Sequence, residues 1–126
     1  MDLPGIADAI RTHPGLTGKA VLSAIAETIG GDGDDGAIIS DGEGRLALAA
    51  EAISPAFIAR DPRAAGIAGA VTVVSDLVAS GAEPLALLDT VVAADSAHLA
   101  PLLDGLRAGA AMVSVPIVGG HTTLEA

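Results

Sequence analysis

The stretch RDPRAAGIAGAVTVVSDLVASGAEPLALLDTVVA, residues 60–93, limits the fold more than any other part of the chain. Asp61-Pro62 is a strong helix opening, with an acidic cap and a proline at the first helical position. Apolar residues then run to Gly81, a natural stop, and Pro84 leads into a long apolar strand, LALLDTVVA. Val71–Val74 carries some strand propensity, but the length and the caps predict a helix. Nearly every apolar residue here is small. Across all 126 residues Phe57 is the sole aromatic, so the core must be filled by Ala, Val, Leu, Ile and Gly. Small side chains allow close backbone approach, and so thin a core gains from an oligomer interface.

The remaining elements follow from periodicity and punctuation. Residues 5–12 suit a short helix closed by Pro14 and Gly15. Thr17 is the expected cap of a second helix, GKAVLSAIAETIG, where Val21, Leu22, Ile25 and Ile29 recur at helical spacing. Ala37–Ser40 and Leu46–Ile53 read as strands joined by DGEGR, whose Asp41-Gly42 is a hairpin signal. SPAFIARDP reads as irregular. Ser96 is the expected cap of a helix through LAPLLDGLRAGAAM, and VPIVGGHTT reads as a strand running into a glycine turn. The order αα-ββαβαβ gives an α+β domain around one sheet. Residues 1–30 form an N-terminal helical segment and 31–126 the α+β domain.

Charge and composition exclude several classes. Lys plus Arg is 6 against 16 Asp plus Glu, a net charge of -10, which argues against binding a nucleic-acid backbone. It does not exclude a nucleotide, because a divalent cation inverts the local field. Without cysteine there is no disulfide, thiolate metal site or thiol nucleophile. The N-terminus lacks the basic start and apolar core of a secretory signal. The longest uncharged run, Ala108–Leu124, is shorter than the ~20 residues of a spanning helix. A soluble, cytoplasmic protein with no membrane partner is expected.

The loop IGGDGDDGAII crowds Asp32, Asp34 and Asp35 among glycines. Gly31–Gly36 formally matches G-x-G-x-x-G, but that motif needs a strand before it and a helix after it, and here the order is reversed. A calcium loop from Asp32 to Glu43 fails at Gly36 and Ala37, where an oxygen ligand and the turn glycine are required. Gly18-Lys19 resembles the tail of a P-loop, but His13 and Ala20 occupy the positions of its first glycine and its hydroxyl. Two readings stay open: a solvated turn, since Gly and Asp are turn residues, and a magnesium site, which uses one or two carboxylates, waters and phosphates.

GDGDDGAII, the 60–92 block and PIVGGHTT occur in one order at plausible spacing. Together they resemble the N-terminal domain of the aminoimidazole ribonucleotide (AIR) synthetase superfamily, which includes thiamine-monophosphate kinase, selenophosphate synthetase and a hydrogenase-maturation enzyme. Within it the chain looks like the AIR synthase-related proteins. The resemblance covers about Ala20 to the end. It implies a four-stranded sheet with helices on one face, ferredoxin-like in its ββαβαβ order, pairing with a second copy as an eight-stranded dimer barrel. It also implies Mg2+ and ATP at a site shared by subunits and completed by a C-terminal α/β domain that this chain lacks.

Carried over residue by residue, the resemblance makes Asp34, Asp35 and Asp76 metal ligands. Gly33, Gly119, Gly120, His121 and Thr122 become cofactor-binding. Asp76 lies in an apolar helical stretch with no basic neighbour in sequence, where an unpaired buried carboxylate costs several kcal/mol; a helix-surface aspartate is the plain alternative. Imidazole is a poor Mg2+ ligand, so His121 is expected to touch phosphate or orient water, or else to be an ordinary turn histidine. Glu51 replaces an aspartate of the family pattern, and His13 and His98 read as surface residues. The lysine of AIR synthetase is missing from EAISPAFIAR, the kinase-like STD signature is missing, and the reactive cysteine or selenocysteine of selenophosphate synthetase has no counterpart. Two functions are therefore carried forward. One is the Mg-ATP-binding domain of an ATP-dependent enzyme, for phosphoryl transfer or ATP-driven activation of a small molecule, inactive in isolation. The other is a non-catalytic dimerisation module.

Overall fold

In the computed structural model of the chain, residues 2–17, 26–28, 36–40, 42–93 and 95–124 are described. They fall into two units, Met1–Ala37 and Ile38–Ala126. In the first unit, helix α1 spans Leu3–Arg11 and α2 spans Pro14–Thr17. Asp2 caps α1 by accepting from the Gly5 N–H at 3.0 Å. Thr17 does not open the next helix. It closes α2, its hydroxyl bonding back to the carbonyls of His13 and Pro14. Of the expected 18–30 helix, residues 26–28 are helical and the rest lies outside the described residues.

The second unit contains β1 (Gly36–Ser40, which begins just ahead of it), β2 (Arg45–Ala49), α3 (Pro55–Arg60), α4 (Pro62–Ala79), β3 (Leu87–Ala93), α5 (Ser96–Val113) and β4 (Ile117–Leu124). The α+β class stands. SPAFIAR is a helix rather than an irregular link: Ser54 accepts from the Phe57 N–H at 3.3 Å and Pro55 takes the first turn. That is the same device as Asp61-Pro62, where Asp61 accepts from the Ala64 N–H at 2.9 Å. Asp95, not Ser96, caps α5, accepting from the His98 N–H at 2.9 Å.

At its C-terminus α4 closes with the paired bonds of a Schellman motif. Ala82 N–H donates to Leu77 and Gly81 N–H to Val78, with Gly81 at φ 78°. The same pair ends α5, there with Ser114 in the left-handed region at φ 58°.

Helices α4 and α5 touch backbone to backbone. A side chain at Gly66 would strike the Leu102 carbonyl and come within 2.6 Å of the Leu106 nitrogen. One at Gly105 would strike the Arg63 carbonyl, and one at Gly109 would lie 2.8 Å from the Ile67 carbonyl. Gly66 and Ala70 on α4 therefore face Gly105 and Gly109 on α5, each pair one helical turn apart. By length and composition alone α4 is apolar enough to cross a membrane; in this structure it is the helix packed against α5 and β2.

Two apolar clusters sit on this pair. Ala70, Val74, Leu87, Ala110 and Val115 form one, and Ala65, Val91, Ala93 and Leu102 the other, with Leu106 packed against both. At the rim, Asp104 on α5 accepts from Arg63 Nε of α4 at 2.9 Å and from Arg107 at 2.7 Å. The two guanidiniums, Arg107 first, hold its carboxyl below the usual aspartate range.

The expected single four-stranded sheet is two two-stranded sheets among the described residues, β1-β2 and β3-β4. Apolar alternation fixes which face of a strand is buried, not which edge bonds which, so the sequence could not distinguish these arrangements. β3 and β4 run parallel across the α5 crossover, with Asp89 opposite Gly120, Thr90 opposite His121 and Val91 opposite Thr122. A bulge at the start sets Leu87 against Ile117 but Leu88 against Gly119.

Gly105→Ala should destabilise the chain by about 1–3 kcal/mol, because the added methyl separates two backbones, even though alanine is the better helix former. A lower urea midpoint at unchanged m-value is the expected result; a rise would contradict the backbone contact. Asp104 has its carboxyl lowered in the folded state, so its contribution is complete above the ordinary value of 3.8 and is lost as pH falls through the lower folded value. Asp104→Asn should therefore lower the thermal midpoint modestly near neutrality, and the gap to wild type should narrow as the solution is acidified below 3.8.

Candidate functional site

The residues expected to form the site are distributed over α4, β4 and the 31–35 loop. Gly33, Asp34 and Asp35 lie outside the described residues. Asp76 lies in the last turn of α4, half-buried. Its carbonyl accepts from the Ser80 N–H at 3.1 Å and the Ser80 hydroxyl at 2.9 Å, while its carboxylate has no hydrogen bond or ion pair among the described residues. An acid at a helix C-terminus opposes the helix dipole, and α4 has no basic residue in its last turn to offset it. The carboxylate is therefore held against local preference, and it keeps its full ligand capacity.

The glycine pair is not a turn. Gly119, Gly120, His121 and Thr122 lie inside β4, and all are exposed. Successive residues of a strand point to opposite faces. Gly120 and Thr122 thus share the side of β3 that carries Leu87, Asp89 and Val91, whereas Gly119 and His121 share the side of Leu88 and Thr90. These four cannot converge on one group through their side chains. His121 Nε2 instead lies 2.9 Å from the Thr123 hydroxyl on its own face. Glu51 is exposed beyond the end of β2.

Asp89 was not singled out in the sequence. It is half-buried in mid-strand, and a side chain on Gly120 would collide with its carbonyl and carboxylate, reaching 2.6 Å from Cγ. The signal was present, a lone acid in LALLDTVVA, but an alternating apolar strand absorbs one polar residue without remark.

Among the described residues no three His, Asp or Glu side chains come together to hold a metal. Asp76 and Asp89 each offer carboxylate oxygens with no hydrogen bond or ion pair among the described residues. That suits Mg2+, which takes one or two carboxylates and completes its octahedron with water and phosphate.

The family described as "AIR synthase related protein, N-terminal domain" matches residues 33–126. This chain belongs to the AIR synthase-related family. The "Uncharacterized protein sll0787" of Synechocystis sp. is 42% identical over 90 residues, which are 71% of this chain and 28% of that relative. The structure titled "AaThiL complexed with AMPPCP and TMP" superposes with a TM-score of 0.71 at 19% identity, over 84% of this chain and 37% of that one. The fold is thus one that AaThiL shares. The AIR synthase-related chain described here spans less than two fifths of either protein.

Proposed function

We propose that this chain is the Mg-ATP-binding N-terminal part of an AIR synthase-related, ATP-dependent enzyme. Its reaction would be phosphoryl transfer or the ATP-driven activation of a small molecule. One observation supports this most directly: at the unfavourable end of an apolar helix, inside the family region, Asp76 keeps a carboxylate that has no partner among the described residues. The fold it shares with AaThiL, a protein solved with an ATP analogue, points the same way.

In this reading Asp34, Asp35 and Asp76 hold Mg2+ on the ATP phosphates, beside Gly33. Bound there, the cation would neutralise the charge carried by phosphate oxygens, which is the larger part of catalysis in phosphoryl transfer. The β4 segment contributes differently from a glycine turn. A strand paired on one side leaves alternate N–H groups at its open edge, and these donors, with the Thr122 hydroxyl on one face and His121 on the other, are available to phosphate or to water. The rest of the relatives' length, of which this chain spans 28% and 37%, would bind the phosphate acceptor and complete the site.

The same reading includes a second copy of the chain. Leu88 is 76% exposed and Val92 53% exposed, both on the side of β3 turned away from the helices. Contiguous exposed apolar side chains on open-edged strands mark an interface. A second copy laid across them would close the paired strands into the eight-stranded barrel that the family resemblance implies.

Calorimetry separates the two functions. Mg-ATP should bind the 126-residue chain, and Asp76→Asn or Asp35→Asn should weaken it at least tenfold, about 1.4 kcal/mol. Asp76→Asn should meanwhile leave the fold as stable or more so, since it removes an acid from a helix C-terminus. A well-folded dimer that takes up no Mg-ATP would establish the non-catalytic dimerisation module instead. Sedimentation tests the copy: wild type should run as a dimer, and Val92→Glu, which buries a charge in that contact, should run as a folded monomer. A wild-type monomer at tens of micromolar would remove the barrel.

A further inference from the structure

We draw no further inference here: the strongest candidate, the apolar groove between α1 and α2 lined by Ile6, Ala9, Ile10, His13 and Leu16, is a face for which nothing among the described residues shows what covers it.

Discussion

Everything in the second unit depends on α4 and α5 meeting at their backbones. Gly66, Gly105 and Gly109 leave no room for even a methyl group between the helices. Helices this close present wide, shallow surfaces of alanine and valine rather than interlocking large side chains. That is how a chain with one aromatic residue makes a core at all. The buried apolar residues are small or medium, Ala65, Ala70, Val74, Ala110 and Leu102 among them, and none of the largest types is fully buried. Dispersion falls off steeply with separation, so a core of small groups works only if the backbones come together. The glycines are the condition for that.

Close packing of the helices sets the position of β3. Leu87, Val91 and Ala93 reach into the two clusters, and the α5 crossover returns the chain so that β4 lies parallel beside β3. β4 itself touches little besides β3. Its residues are exposed throughout, which leaves its backbone and its polar side chains uncommitted to the core. The helix pair and β3 carry stability, while β4 and the C-terminal turn of α4 carry the groups the fold does not use. Asp76 and Asp89 belong to that second set, although both lie on elements of the first.

Much of this was legible in the residues. Asp61-Pro62 and Gly81 bracket α4 as they should, because an acid cap, a first-turn proline and a left-handed glycine each act within a few residues and need no tertiary partner. Ser54-Pro55 carries the same signal and makes α3; it was passed over only because six residues give too little periodicity to read. The glycines at 119 and 120 were misread as a turn for a different reason. A glycine can mark a left-handed backbone or a close approach, and only the partner strand distinguishes them. Here the partner is Asp89, thirty-one positions away, and no local rule connects them. The same blindness hid the pairing of the strands, since alternation specifies faces and leaves edges free. The acidic loop, the most conspicuous feature of the sequence, lies at 31–35 outside the described residues, so its convergence with Asp76 stands as a proposal.

Asp76 and Asp89, two carboxylates without a partner among the described residues, lie on the elements that carry the core. Leu88 and Val92 stand open on one side of β3, and on the other Asp89 has no hydrogen bond or ion pair among the described residues. Both sides make sense if different partners cover them. The apolar side suits a second copy, because burial there needs only shape and greasy surface. The acidic side would suit a cation and its phosphates, because carboxylate oxygens are hard ligands of the kind Mg2+ takes. In the proposed assembly, pairing between copies would draw on this sequence alone, whereas the nucleotide site would also draw on the length by which the relatives exceed the 28% and 37% that this chain spans.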